Sequence, residues 1–173
     1  MALQIAYATE LISSDHVLWP NQLPVPNHIA EEFRKANIAR VKCQVKTIEW
    51  QCSIIKEVDF YYIMLNQQRI KSFCLSPGEP VEVILTEDTT QYGADMPTTL
   101  ISELELNTEA KTFFEALTPG KIRTLIHLVA KVKSIDGQQK KARAIVHHLI
   151  EWNGKLDFKA LNETIKLYNK GLL

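Results

Sequence analysis

His147 and His148 sit side by side in a helical pattern and are the residues most suggestive of metal or acid–base chemistry. Successive residues of a helix point about 100° apart, so the pair cannot hold one metal ion without ligands from elsewhere. By helical phase both lie at the margins of the stripe formed by Ile145, Val146 and Leu149, and His127 faces away from the stripe of its own helix. No H-x-x-x-H, H-E-x-x-H or Cys/His cluster accompanies them, so no metal site and no cofactor is expected. The chain also lacks G-x-S-x-G, G-x-x-x-x-G-K and G-x-G-x-x-G. A thiol–imidazole pair of Cys52 or Cys74 with a histidine of the C-terminal half remains open.

Charge gives the stronger local signal. Lys121, Arg123, Lys131, Lys133, Lys140, Lys141 and Arg143 face a single acid, Asp136, across one stretch. Such a run could receive an anion: nucleic acid, an acidic partner or a phosphorylated ligand. The competing reading, and the one adopted, is a solvated helix face, because no aromatic residues interleave for base stacking. The whole chain balances 20 basic against 20 acidic side chains. Residues 1–94 carry 8 Lys/Arg and 11 Asp/Glu, whereas residues 95–173 carry 12 and 9. The N-terminal half is therefore wrong in sign for phosphate contacts.

Three cysteines (Cys43, Cys52, Cys74) with no C-x-x-C spacing read as small buried hydrophobes in a reducing compartment. Trp19, Trp50 and Trp152 read as packing residues. Apolar residues make up 46% of the 173, enough for a core without disulfide or metal staples. No signal sequence and no membrane-length apolar run is seen, so a cytoplasmic protein with no membrane partner is expected.

These residues have to be positioned by two kinds of element. In the first half Val41, Cys43 and Val45 alternate with polar residues, and 60–65 is an aromatic and branched run of strand length. A strand over 81–85 follows the turn Ser76-Pro77-Gly78-Glu79. Short helices are expected from Pro26-Asn27, carrying Ile29 and Phe33, and over 67–73. These segments repeat with an offset of 40 residues: Leu23 and Val25 correspond to Ile63 and Leu65, Phe33 to Phe73, and Val41, Cys43 and Val45 to Val81, Val83 and Leu85. Two such strand–helix–strand units could interlock, each covering edges the other leaves open.

Residues 91–97 read as a linker, after which the apolar period becomes 3.6. Helices are expected from Pro97 with Leu100, Ile101 and Leu104, and from a Thr108 cap with Phe113, Phe114 and Leu117. A third starts at Thr118-Pro119 and carries Ile122, Leu125, Ile126, Val129 and Val132, with Asp136-Gly137 as its break. A fourth packs Ala142, Ile145, Val146 and Leu149 and ends at Asn153-Gly154; a fifth is capped by Asp157.

The segments 62–66, 69–71, 75–79 and 81–83 resemble the strand–helix–turn–strand unit of an uncharacterised bacterial family with a double-split β-barrel. That family is similar in fold to the barrels of AbrB-like and MazE-like DNA-binding regulators. The chain departs from its pattern at Arg69-Ile70-Lys71, where the basic position is shifted, and at Glu79. The second half resembles the helical module known as bacteriocin-protection, YdeI/OmpD-associated. The likeness is carried by Asp95-Met96-Pro97, Thr118-Pro119-Gly120-Lys121 and residues 140–146.

The expectation is thus an α+β chain: an N-terminal double-split, pseudo-symmetric β-barrel over 1–90 and a C-terminal helical bundle over 97–173. The function expected is non-catalytic binding of a protein partner or small ligand, in preference to nucleic acid, with stress or bacteriocin tolerance implied by the family resemblance. A DNA-binding regulator of AbrB-like type and an enzyme with an inter-domain site are the alternatives.

Overall fold

Two antiparallel sheets organise the first half of the chain, which the computed structural model describes over residues 2–15 and 20–173. Trp19, expected to pack, lies outside the described residues. The strands are β1 (Gln4–Glu10), β2 (Ile12–Ser13), β3 (Asn21–Val25), β4 (Val41–Val45), β5 (Ile48–Cys52), β6 (Ile55–Lys56), β7 (Tyr61–Leu65) and β8 (Pro80–Glu87). Helix α1 (Asn27–Lys35) joins β3 to β4, and α2 (Gln67–Phe73) joins β7 to β8. One sheet runs β1-β8-β4-β5 and the other β2-β3-β7-β6.

The 40-residue offset is written into the register. Leu23 lies directly opposite Ile63, and Gln44 opposite Ile84. Each strand–helix–strand unit therefore contributes one strand to each sheet, and its counterpart supplies the neighbour. The reason is elementary: a strand alone leaves a row of unpaired N–H and C=O groups. The faces turned inward carry Leu23, Val25, Ile63 and Leu65 from one sheet and Val41, Cys43, Val83 and Leu85 from the other, closed over by Phe33 and Phe73. Among the described residues the sheets form two separate hydrogen-bonded ladders and no closed barrel.

The chain divides into two compact units, Met1–Thr89 and Thr90–Leu173. The second is helical: α3 (Thr98–Glu105), α4 (Thr108–Glu115), α5 (Pro119–Ala130), α6 (Ile135–Glu151) and α7 (Phe158–Asn169). Helix α6 is central, packing against each of the other four. Among the described residues no helix is long and apolar enough to cross a membrane.

Two helix boundaries differ from expectation. The cap of α4 is Asn107, whose side chain accepts from the Ala110 N–H at 2.9 Å, so Thr108 is already helical. Asp136-Gly137 does not separate helices but lies in the first turn of α6. Ser134 caps this turn by accepting from the Gly137 N–H at 3.2 Å. Gly137 is tolerated there because a Cβ would sit 2.6 Å from Val132 Cγ1, so the glycine permits a close approach.

The end of α6 is as expected from Asn153-Gly154. Both residues have positive φ, 48° and 77°, and the Gly154 N–H closes onto the Leu149 carbonyl at 2.8 Å. A Cβ on Gly154 would meet the Phe113 ring at 2.8 Å. Replacing Gly154 by Ala is expected to destabilise the protein by about 2 kcal/mol, combining left-handed strain with the ring contact. Gly120→Ala, in open space within α5, should leave stability unchanged or slightly raised. Urea unfolding of the two variants checks this; equal midpoints would contradict it.

Candidate functional site

The seven basic residues are spread along α5 and α6 and the segment between them. Lys121 lies in the first turn of α5, and Lys131 and Lys133 lie at and beyond its other end, about 15 Å along the axis. Arg123 donates from Nη1 to the Tyr92 carbonyl at 3.3 Å, and Lys141 donates to the Leu128 carbonyl at 3.1 Å. Lys140 pairs with Asp136 at 2.9 Å, and Arg143 with Glu103 at 2.9 Å, tying α6 to α3. Four of the seven thus hold this chain's own groups.

The histidines part company. His147 lies half-buried, its Nδ1 3.4 Å from the Tyr168 hydroxyl. His148, expected at the margin of the stripe, is completely buried. The reason is the position of α6: a helix contacted by four neighbours buries more than a single stripe. His148 Nε2 accepts the Asp157 N–H at 3.2 Å, at the entry to α7, and Trp152 stacks on the ring with centroids 5.4 Å apart. Trp152 itself remains 41% exposed, while Trp50 is buried against Phe73. Burial holds the His148 pKa below the usual imidazole value, against the opposing charges of Asp157 and Glu151.

Only Cys43 of the three cysteines is buried. Cys74 is exposed because it caps α2 in the left-handed region, φ 51°, which turns it away from the face carrying Phe73. Cys52, diagonal to Cys43 across β4 and β5, is half-buried. Among the described residues no group of three His, Cys, Asp or Glu side chains is placed to hold a metal ion.

The feature with the makings of a site overlaps the segment 91–97, expected as a linker. Residues 90–96 fold against α3 and α4 and enclose with them a groove of about 460 Å³. Its floor is apolar: Ala94, Leu104 and Phe114 are buried, with Met96 and Ile101 alongside. The Tyr92 ring stands edge-on to Phe114, centroids 6.0 Å apart, and its hydroxyl accepts from Gln91 Nε2 at 3.0 Å. The segment is held by a turn at Gly93 (φ 69°), whose N–H reaches the Thr90 carbonyl, and by Arg123 on the Tyr92 carbonyl. Burial raises the Tyr92 pKa, and the neighbouring Glu115 charge raises it further, so the phenol is neutral at pH 7.

Around this floor stand Asp95, Glu105 and Glu115 against one cation, Lys111. Glu105 is the last residue of α3 and Glu115 the last of α4, and neither helix has a basic residue in its last turn. Helix C-termini carry the negative end of the dipole and favour Lys, Arg or His there. Acids in both places concentrate negative potential over an apolar, aromatic floor. The sequence signal for this was present, in acids closing two consecutive helices, but it becomes a site only once 90–96 folds back over them.

Comparison with known families agrees with a two-part chain. Residues 14–85 match the family model of a domain of unknown function (DUF1905). Residues 94–151 match the family model described as Bacteriocin-protection, YdeI or OmpD-Associated. The chain therefore joins two segments similar to different families, and the groove lies mainly in the second. No curated protein matches the chain.

The buried imidazole makes stability depend on pH. With the folded pKa below the unfolded value of about 6.5, the unfolded state binds more protons over the window between them. His148 should therefore leave stability intact above about pH 7 and reduce it as pH falls through 6.5, by at most about 1.4 kcal/mol per pH unit. Urea midpoints at descending pH for the wild type and for His148→Gln check this; identical pH profiles would contradict it.

Proposed function

We propose that the protein is a non-catalytic binding protein whose helical unit receives an amphipathic cation, an ammonium or guanidinium carried beside an apolar group as in a basic peptide. One observation carries this reading: Glu105 and Glu115 end α3 and α4, where acids are unfavourable for the helices, and both line the same apolar groove. An apolar floor supplies contact area, and the rim supplies the sign of the charge. Tyr92 adds a neutral aromatic ring of the kind that receives cations on its face. The basic run 121–143 enters this reading as a solvated helix face.

Stress or bacteriocin tolerance is the role proposed for such binding, supported by the description of the matched family model alone. For the N-terminal unit we propose the pseudo-symmetric double-split arrangement, supported by the direct pairing of residues 40 apart in both sheets.

The test separates affinity from stability. Glu105→Gln/Glu115→Gln should weaken binding of a fluorescent Lys/Leu-rich peptide about tenfold, as expected for two exposed charge contacts. The same double variant should be more stable than wild type by about 0.5–1 kcal/mol, because two unfavourable dipole contacts are removed. Fluorescence anisotropy and urea unfolding read the two effects. Unchanged peptide affinity, or no peptide binding by the wild type, would overturn the proposal.

A further inference from the structure

We propose a second ligand site, in the N-terminal unit, for a small monocarboxylic acid with an apolar body. A cavity of about 310 Å³ opens between α1, the segment leading to β4, and the β6–β7 hairpin. Six apolar residues line it: Ala30, Phe33, Ile38, Ala39, Val41 and Ile54. Arg34, Lys56 and Tyr61 complete the wall and are its polar members. The volume lies at the small end of the range for ligand pockets, which are likewise apolar with a few placed polar groups.

The polar groups are held in place by one another. Arg34 Nη1 donates to the Tyr61 hydroxyl at 2.6 Å, and that hydroxyl donates to the Glu31 carboxylate. Glu31 also pairs with Arg34 Nη1 at 3.2 Å. The Arg34 guanidinium lies 5.9 Å from the Tyr61 ring centroid and the Lys56 ammonium 5.7 Å from it, so two cations gather at one ring. Glu31 answers one of these charges, which leaves a surplus of a single positive charge at the mouth of an apolar cavity.

That balance selects the ligand. A monoanion is matched, whereas a phosphate monoester would bring close to two negative charges against one. The atoms point the same way. The Tyr61 hydroxyl and Arg34 Nη1 are already engaged, while the guanidinium keeps Nη2 and Nε, and a planar carboxylate fits such a fork. The apolar lining then requires a hydrocarbon or aromatic body rather than a sugar or a polar acid.

Octanoate is the probe, titrated calorimetrically into the full chain beside the uncharged analogues octanamide and octan-1-ol. The expected result is saturable binding of one octanoate, tighter by about tenfold than either uncharged analogue. Arg34→Gln/Lys56→Gln should bring octanoate down to the affinity of octanol. Ala39→Phe, at an exposed wall position, should block both without lowering the unfolding midpoint. Octanoate and octanol binding equally to the wild type, undiminished octanoate binding by Ala39→Phe, or no octanoate binding at all would each overturn the assignment. None of these outcomes bears on the acid-rimmed groove, whose test uses a different ligand and different residues.

Discussion

Backbone N–H and C=O groups removed from water must find partners, and in this protein that requirement claims much of the conspicuous side-chain chemistry. In the N-terminal unit it is met by reciprocal pairing, each strand–helix–strand segment lending its edges to the other. In the helical unit side chains meet it. Asn107, Ser134 and Asp157 cap three helices. Arg123 and Lys141 donate to carbonyls, and the His148 imidazole accepts the N–H of Asp157. What remains uncommitted by the backbone is where recognition can occur.

Much of the basic run and the histidine pair is engaged with the chain's own groups, whereas the segment expected to be a linker lines a groove. Residues 91–97 have few apolar side chains in period and read as a linker. Yet Ala94 is buried and Tyr92 packs edge-on against Phe114, because α3 and α4 expose an apolar surface that the segment partly covers. Coverage is incomplete, and the uncovered part is the groove. Its acidic rim opposes the dipoles of the helices that carry it, a local conflict of the sort found where function sets the residue.

Much of the fold was legible in the residues. The period-2 pattern at Val41, Cys43 and Val45, the helix over 67–73, the Asn153-Gly154 stop and the Asp157 cap each follow from local physics that tertiary contacts reinforce. The failures share a cause. Helical phase alone puts His148 at a margin, because one helix by itself has one apolar stripe, whereas α6 has four neighbours. Asp136-Gly137 reads as a break because glycine is a poor helix former, whereas this glycine permits close approach to Val132. Cysteine as a residue type favours burial, whereas the left-handed backbone at Cys74 turns it outward. The groove was illegible for the same reason: its residues come from three segments whose meeting no local pattern encodes.

The most direct measurement is an amide-resolved NMR titration of the full chain with a short Lys/Leu-rich peptide. Saturable shifts are expected at Tyr92, Met96, Ile101, Glu105, Lys111 and Glu115, weakening as salt is raised. Shifts absent from these positions, or centred instead on Lys121–Arg143, would contradict the groove as the binding site.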